Sequence, residues 1–211
     1  MIVCDLNHTY MKTLLDTLTT KQKKNLTYKT YEKDAIIFHE NDLCDNIGII
    51  IDGRVSISTY LENGDEVIFN VLTKDGIFGN NLIFSSNPRY KGNIVSNEKT
   101  IICFINNDHL LHLLKTNENF LIEYLKIQSD FGKELNNRIK LLSMNDAKER
   151  LLFYLHINND AINYTSITSL AKELFLKRET LSRLINKLER SKIIVRENNI
   201  IKKTEKENVF I

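Results

Sequence analysis

Between residues 166 and 196 the apolar positions twice repeat with the period of an α-helix. In the second segment the aliphatic residues lie at i, i+3, i+4 and i+7, namely Leu181, Leu184, Ile185 and Leu188. This spacing predicts a helix over residues 177–190 with one buried face. A shorter segment before it places three residues on one stripe, Leu170, Ala171 and Leu174, and Thr168 is its expected N-cap. The sequence therefore predicts a helix, a tight turn and a second helix.

The outward face of the second helix carries polar side chains suited to reading bases. Arginine can bond guanine O6 and N7 together, glutamate can accept from cytosine N4, and serine can contact either partner base. We therefore predict a DNA-binding set consisting of Thr168, Lys177, Arg178, Glu179, Ser182, Arg183 and Lys187. An alternative is that Glu179 and Arg183, four residues apart, form only a helix ion pair worth about 0.2–0.5 kcal/mol.

The residues after this helix favour the same interpretation. Two β-rich runs, 193–196 and 200–203, surround Asn198-Asn199 and predict a hairpin, which would complete a winged helix. From Asp146 to the C-terminus there are 13 Lys and Arg residues against nine Asp and Glu residues, whereas the whole chain has a net charge of +2. Charge of this sign suits a surface that contacts phosphates.

Upstream, from residue 28 to about residue 105, the period changes from helical to β-like. Short apolar runs alternate with turn signals such as Asp52-Gly53 and Asn63-Gly64. The runs cover residues 35–38, 47–52, 54–59, 66–72, 92–96 and 100–105. Many short strands with regular turns predict a jelly-roll β-barrel.

Residues 118–144 predict one long helix with a heptad seam. The seam residues are Leu121, Leu125, Gln128, Gly132, Leu135, Ile139 and Leu142. A stripe of this kind indicates a partner, which a second copy of the chain would supply. The alternative is that this face is buried against the chain's own barrel. Asp146 is the expected cap of the next helix.

The composition narrows the class of protein. The chain has 211 residues, of which 42% are hydrophobic and 27% are charged. This composition predicts a soluble globular protein that is long enough to bury a hydrophobic core. No apolar run near 18 residues and no signal-peptide pattern is visible, so we expect a cytoplasmic protein without a membrane partner. Three scattered cysteines argue against a disulfide framework. No triad, carboxylate pair, phosphate loop or metal-ligand set is recognisable, which predicts a protein that is not an enzyme and has no cofactor.

Three stretches resemble the Crp/Fnr transcription regulators. Residues 178–183, Arg-Glu-Thr-Leu-Ser-Arg, are similar to the recognition-helix signature of that family. Residues 49–55 are similar to its strand–glycine–strand corner, and 76–79 to the approach to its phosphate-binding cassette. The family commonly has glycine and serine in the turn where this chain has Phe175 and Lys177.

The resemblance implies an α+β fold in three parts. These are an N-terminal cyclic-nucleotide-binding-type β-roll (1–117), a long dimerisation helix with a hinge (118–145) and a C-terminal winged helix-turn-helix (146–211). By position, Asn80 stands for the family's ribose-binding Glu, and Tyr90 and Lys91 for its phosphate-binding Arg and Ser. Arg89 is one place out of register. The implied effector pocket comprises Gly79, Asn80, Asn81, Leu82, Arg89, Tyr90, Lys91, Leu135 and Asn136.

These departures predict that the effector is not a cyclic nucleotide, or that there is none. Cys4 stands alone in the N-terminal region, which speaks against the iron–sulfur chemistry of some relatives. The resemblance implies a homodimer that binds a palindromic duplex with TGA-like half-sites, in which Glu179 and Arg183 read the central G·C pair. RNA polymerase and an unknown small-molecule effector are further candidate partners. The alternative is a sensor or adaptor whose helical domain binds protein.

Overall fold

A computed structural model of the chain describes residues 11–204, although not the side chains of residues 11–13 and 69. The chain divides into two compact units, residues 1–133 and 134–211. The three-part organisation stays a prediction. Seven helices lie in the described residues: α1 Met11–Asp16, α2 Thr20–Lys23, α3 Asn107–Thr116, α4 Glu118–Ser143, α5 Ala147–Ile157, α6 Ile167–Glu173 and α7 Arg178–Arg190.

The strands of the first unit are β1 Thr27–Tyr31, β2 Ile36–Phe38, β3 Asn46–Asp52, β4 Val55–Tyr60, β5 Glu66–Leu72, β6 Ile77–Phe78, β7 Asn93–Ser96 and β8 Thr100–Asn106. They form two four-stranded antiparallel sheets, in the orders β1-β8-β3-β6 and β2-β7-β4-β5. The predicted β-rich N-terminal fold is confirmed. The sequence pattern missed β1, whose residues are mostly exposed, and β6, which is two residues long.

Side chains from both sheets form one core, which includes Ile49 and Ile102 at 1% and 0% exposure. The first half of α4 closes this core with three residues on one face, Phe120, Tyr124 and Ile127. The neighbouring seam face is different, because Leu125, Leu135, Ile139 and Leu142 are each more than half exposed. Burial against the β-roll therefore accounts for the first face but leaves Leu125, on the seam of the same unit, exposed.

The second unit holds the last strands, β9 Ala161–Asn163, β10 Ile194–Glu197 and β11 Ile200–Lys203, in the sheet order β10-β11-β9. Asp146 caps α5 as expected, with its side chain accepting from the Lys148 amide at 3.0 Å. The expected N-cap of α6 is wrong: the cap is Ser166, whose hydroxyl accepts from the Ser169 amide at 3.0 Å. Thr168 lies inside the helix because the chain becomes helical directly after the extended Ser166.

A shared core holds α5, α6, α7 and the small sheet together. Its fully buried members include Leu151, Leu155, Leu170, Leu181 and Ile201. The hairpin of β10 and β11 has the two-residue loop predicted at Asn198-Asn199, with Glu197 paired to Ile200. Across residues 11–204 no helix combines the length and apolar character needed to cross a membrane.

Candidate functional site

Helix α7 has one buried face and one polar, exposed face. Leu181, Ile185 and Leu188 are 0–2% exposed, which anchors the helix in the core of the second unit. The predicted DNA-binding residues of this helix are all exposed: Arg178, Glu179, Ser182, Arg183 and Lys187. Lys177 is exposed at the N-cap position, and Thr168 is exposed on α6. The structure thus brings six of the seven predicted residues together on one helix and its cap.

The ion pair considered as an alternative for Glu179 and Arg183 does not occur among the described residues. The salt bridges nearest in sequence join Arg196 to Glu189, at 3.2 Å, and Lys202 to Glu197, at 3.4 Å. The functional groups of Glu179 and Arg183 therefore remain available for a ligand.

The turn between α6 and α7 forms despite its unusual residues. The Leu176 amide donates to the Ala171 carbonyl at 2.8 Å and the Phe175 amide donates to that of Lys172 at 3.1 Å. These two bonds are those of a Schellman motif, whose first residue after the cap takes a left-handed conformation. Phe175 occupies that position with φ 54°, where glycine is usual. Lys177, the N-cap of α7, makes no side-chain cap bond, because a lysine side chain has no oxygen that could accept one.

In the first unit, the predicted effector residues begin at Gly79, where the backbone requires glycine. Its φ is 80°, and a Cβ built there would lie 2.7 Å from the Asn46 carbonyl oxygen. A short turn follows, in which the Ile83 amide donates to the Gly79 carbonyl at 2.9 Å. Leu82 is half-buried in this turn and Asn81 is exposed.

Asn80 is 4% exposed and bonds to helix α4. Its Nδ2 donates to Oε1 of Gln128 at 2.9 Å, and Nε2 of Gln128 donates back to the Asn80 carbonyl at 2.6 Å. The Tyr124 hydroxyl donates to the same carbonyl at 2.9 Å. Burial raises the pKa of Tyr124 to about 12, so this hydroxyl keeps its proton at neutral pH. Gln128 and Tyr124 were missed as site residues, although a glutamine in an apolar seam was a visible signal.

Tyr90, which was predicted to stand where the Crp/Fnr regulators have an arginine, points into the core. It is 1% exposed, and its hydroxyl donates to the Asn46 carbonyl at 3.0 Å. Its ring stacks on Phe38 with centroids 4.5 Å apart and contacts Phe78 with centroids 6.4 Å apart, and Phe104 packs against both of these phenylalanines. Burial raises the pKa of Tyr90, so the position offers a neutral phenol where an anionic ligand would need a cation.

The two basic residues of the predicted pocket, Arg89 and Lys91, are both exposed to solvent. Nη1 of Arg89 donates to the Asn41 carbonyl at 2.7 Å, and the side chain is exposed. Lys91 is exposed as well. Leu135 and Asn136 belong to the second unit, where both are exposed on α4. Gly79, Asn80 and Tyr90 are thus buried in the first unit, whereas the charged side chains of Arg89 and Lys91 are exposed.

The buried cysteines have no metal partners in the described residues. No group of three His, Cys, Asp or Glu side chains between residues 11 and 204 could hold a metal ion. Burial raises the pKa of the Cys44 and Cys103 thiols to about 11. Cys4 lies outside the described residues.

The first unit is β-rich, and the long helix α4 and a unit of helices with a small sheet follow in the chain. Residues 28–117 match the family model of the cyclic nucleotide-binding domain. The chain is 23% identical over 192 residues to the anaerobic regulatory protein of Bacillus subtilis (strain 168), covering 86% of this chain and 78% of that protein.

Two solved structures share the fold. A CooA mutant from Carboxydothermus hydrogenoformans has 20% identity and a TM-score of 0.67, covering 93% of this chain and 92% of that one. The catabolite activator protein of Thermus thermophilus has 18% identity and a TM-score of 0.54, with 91% and 93% covered. Together, these comparisons show a match to the cyclic nucleotide-binding domain over residues 28–117 and a similar fold over most of the chain.

Proposed function

We propose that this chain is a sequence-specific DNA-binding transcription regulator, and that residues 146–211 form its winged helix-turn-helix. The observation that carries the proposal is the face of α7 where Arg178, Glu179, Ser182 and Arg183 are exposed, while Leu181, Ile185 and Leu188 on the opposite face are buried. An α-helix of this kind fits the major groove, where its polar side chains reach base edges. The adjacent hairpin, with Arg196 and Lys202, supplies the wing.

Within the groove, Glu179 and Arg183 lie one helical turn apart and read the central G·C pair of a TGA-like half-site. Glutamate accepts from cytosine N4 and arginine bonds guanine O6 and N7. Arg178 and Ser182 set the preference at the flanking positions. Lys177 and Lys187, at the cap of α7 and on the helix, contact the DNA backbone together with Thr168 on α6, which adds affinity without sequence information.

The functional form in this proposal is a homodimer on a palindrome. The exposed apolar residues Leu125, Leu135, Ile139 and Leu142 continue along α4 with heptad spacing. Two copies packed through this seam would remove these side chains from water about a two-fold axis. The same axis would place two recognition helices in successive major grooves, about 34 Å apart.

We further propose that DNA binding does not depend on a cyclic nucleotide. Support comes from Tyr90, whose buried phenol replaces the phosphate-binding cation, and from Asn80, whose amide is already bonded to Gln128. An unknown small-molecule effector of other chemistry and RNA polymerase remain candidate partners.

The test is selection of duplexes from a randomised library by purified protein, followed by fluorescence anisotropy on the selected and a scrambled duplex. Titrations near physiological salt are run without ligand and with cyclic AMP. We expect enrichment of a palindrome and discrimination without ligand, with a steep salt dependence. Enrichment that requires cyclic AMP would refute the effector part of the proposal. No enrichment in either condition would refute DNA recognition and favour the adaptor alternative.

A further inference from the structure

Arg150, on α5, hydrogen-bonds to backbone carbonyls in two other segments of the second unit. Its Nε donates to the Met144 carbonyl at 2.8 Å. Its Nη1 donates to the Phe175 carbonyl at 2.9 Å and to that of Leu174 at 3.4 Å. The side chain is partly buried. A guanidinium is a rigid plane of donors, so bonds from two of its nitrogens fix the positions of the carbonyls relative to each other.

Two of these carbonyls belong to the turn that precedes α7. Leu174 is the C-cap of α6 and Phe175 is the residue in the left-handed conformation, with φ 54°. Carbonyls at the end of a helix lack intrahelical partners and carry partial negative charge, so a cation there is favourable. The third carbonyl, Met144, directly follows α4, which ends at Ser143. Arg150 therefore joins the end of α4 to the turn before α7.

The turn needs this support because of its sequence. A left-handed conformation is unfavourable for a residue with a Cβ, and phenylalanine gains no local side-chain hydrogen bond there, as asparagine would. The helix before the turn, α6, is short, at seven residues, and Lys177, the N-cap of α7, makes no side-chain cap bond. The two bonds from Arg150 to Leu174 and Phe175 thus stabilise the turn between α6 and α7, where the local residues contribute little stability of their own.

We propose that Arg150 is a positioning residue for DNA recognition, which holds the turn at residues 174–175 and thereby sets the direction in which α7 leaves it. The inference rests on the proposed DNA-binding function. Arg150 itself contacts no base in this account. Its contribution is to present Glu179 and Arg183 at the angle that allows both to reach base edges, so its loss should affect specific binding more than phosphate-driven binding.

The experiment uses the full chain with Arg150→Lys, which keeps the charge but not the planar fork, and Lys148→Gln as a control on the same helix. Affinities are measured on the selected and the scrambled duplex across a salt series. We expect Arg150→Lys to weaken specific binding by about tenfold or more, with nonspecific binding within about twofold and an unchanged salt slope. Lys148→Gln should leave the ratio of the two affinities unchanged.

A second arm tests the mechanism by rescue. Phe175→Gly in the Arg150→Lys background removes the need for support at positive φ, so it should restore discrimination to within about threefold of the parent. Equal loss on both duplexes, or loss that Phe175→Gly does not reverse, would show that Arg150 acts on folding in general and would overturn the proposal.

The last arm needs no DNA, which separates failure of this inference from failure of the proposed function. Amide hydrogen exchange is followed at Leu176, whose N–H donates to the Ala171 carbonyl at 2.8 Å, and at Ile201 in β11 as a distant reference. Arg150→Lys should accelerate exchange at Leu176 by about tenfold or more and leave Ile201 within about twofold. Unchanged exchange at Leu176 would refute the positioning role whether or not the parent protein discriminates between duplexes.

Discussion

The hydrogen bonds between Asn80 and Gln128 should contribute measurably to the thermal stability of the first unit. The two residues are 48 positions apart and exchange two hydrogen bonds, Nδ2 to Oε1 at 2.9 Å and Nε2 to the Asn80 carbonyl at 2.6 Å. Gln128→Leu removes both while keeping a side chain of similar size. The Asn80 carbonyl keeps the Tyr124 hydroxyl, but the Asn80 amide, on a residue 4% exposed, loses its partner.

The expected cost follows from that buried amide. A buried donor left without a partner costs about 1–3 kcal/mol, and the half-buried leucine recovers little because its apolar surface stays partly in water. For a unit of 133 residues, about 4 °C of Tm corresponds to 1 kcal/mol, so we expect Tm to fall by about 4–12 °C. Replacing both partners, Asn80→Leu with Gln128→Leu, should recover part of this loss because no unpaired amide remains.

The assay is differential scanning calorimetry of the full chain, with Ser129→Ala as the matched control. Ser129 is exposed on the next position of α4, and its hydroxyl bonds only within the helix, to the Leu125 carbonyl at 2.9 Å. That control should change the free energy of unfolding by less than about 0.5 kcal/mol. If Gln128→Leu shifts Tm no more than Ser129→Ala does, the bonds between Asn80 and Gln128 are absent in solution.

Three further predictions concern base reading, dimerisation and pH. Glu179→Ala should lose discrimination at one base pair by about 1–3 kcal/mol in anisotropy titrations, and equal weakening on all duplexes would instead mark a helix-supporting role. Ile139→Glu should dissociate the dimer in sedimentation experiments, because it places a charge in the seam, whereas Lys133→Glu at an exposed position should not; an unchanged mass would contradict the seam. Burial raises the pKa of the Cys44 and Cys103 thiols from 9.0 to about 11 and that of Tyr124 from 10.0 to about 12, so the unfolded chain releases these protons first. The stability they contribute is therefore full below about pH 9 and lost as the pH rises through about 11–12, and a flat urea-unfolding free energy from pH 8 to 11.5 would contradict this.

Local periodicity was enough to predict the helices that matter for function. The four aliphatic residues from Leu181 to Leu188 predicted both α7 and its exposed face, because residues that repeat every 3.6 positions lie on one side of an α-helix and leave the other side polar. The same held for α4 and for most strands. Strand β1 was missed because Thr27–Tyr31 is an edge strand with little apolar character, and its place is set by pairing with β8. Thr168 was predicted as the cap of α6 where Ser166 is the cap, because serine and threonine both suit this position by residue type and the extended backbone of Ser166 decides between them.

The contacts that position the candidate sites could not be predicted in this way. Asn80 was noticed only through the family resemblance, and its partner Gln128 was placed in a dimer seam. The hydrogen bonds of Arg150 join segments 24 and 25 residues apart, and a charged residue on a helix ordinarily indicates a solvated face. Long-range polar contacts of this kind leave no periodic signal, because one residue in each partner segment is sufficient to make them.

Gln128 occupies a position from which dimerisation should affect the turn of residues 79–83, here called the cassette. On α4 it lies one turn from Tyr124, which packs into the β-roll, and three residues from Leu125, which is 53% exposed on the seam. A second copy packed on Leu125 would exclude water from the neighbouring Gln128 amide, and hydrogen bonds strengthen when water is excluded. We therefore expect Gln128→Leu to cost more stability in the dimer than in the Ile139→Glu background. A double-mutant cycle by calorimetry measures this difference, and additive effects would show that the seam and the cassette are independent.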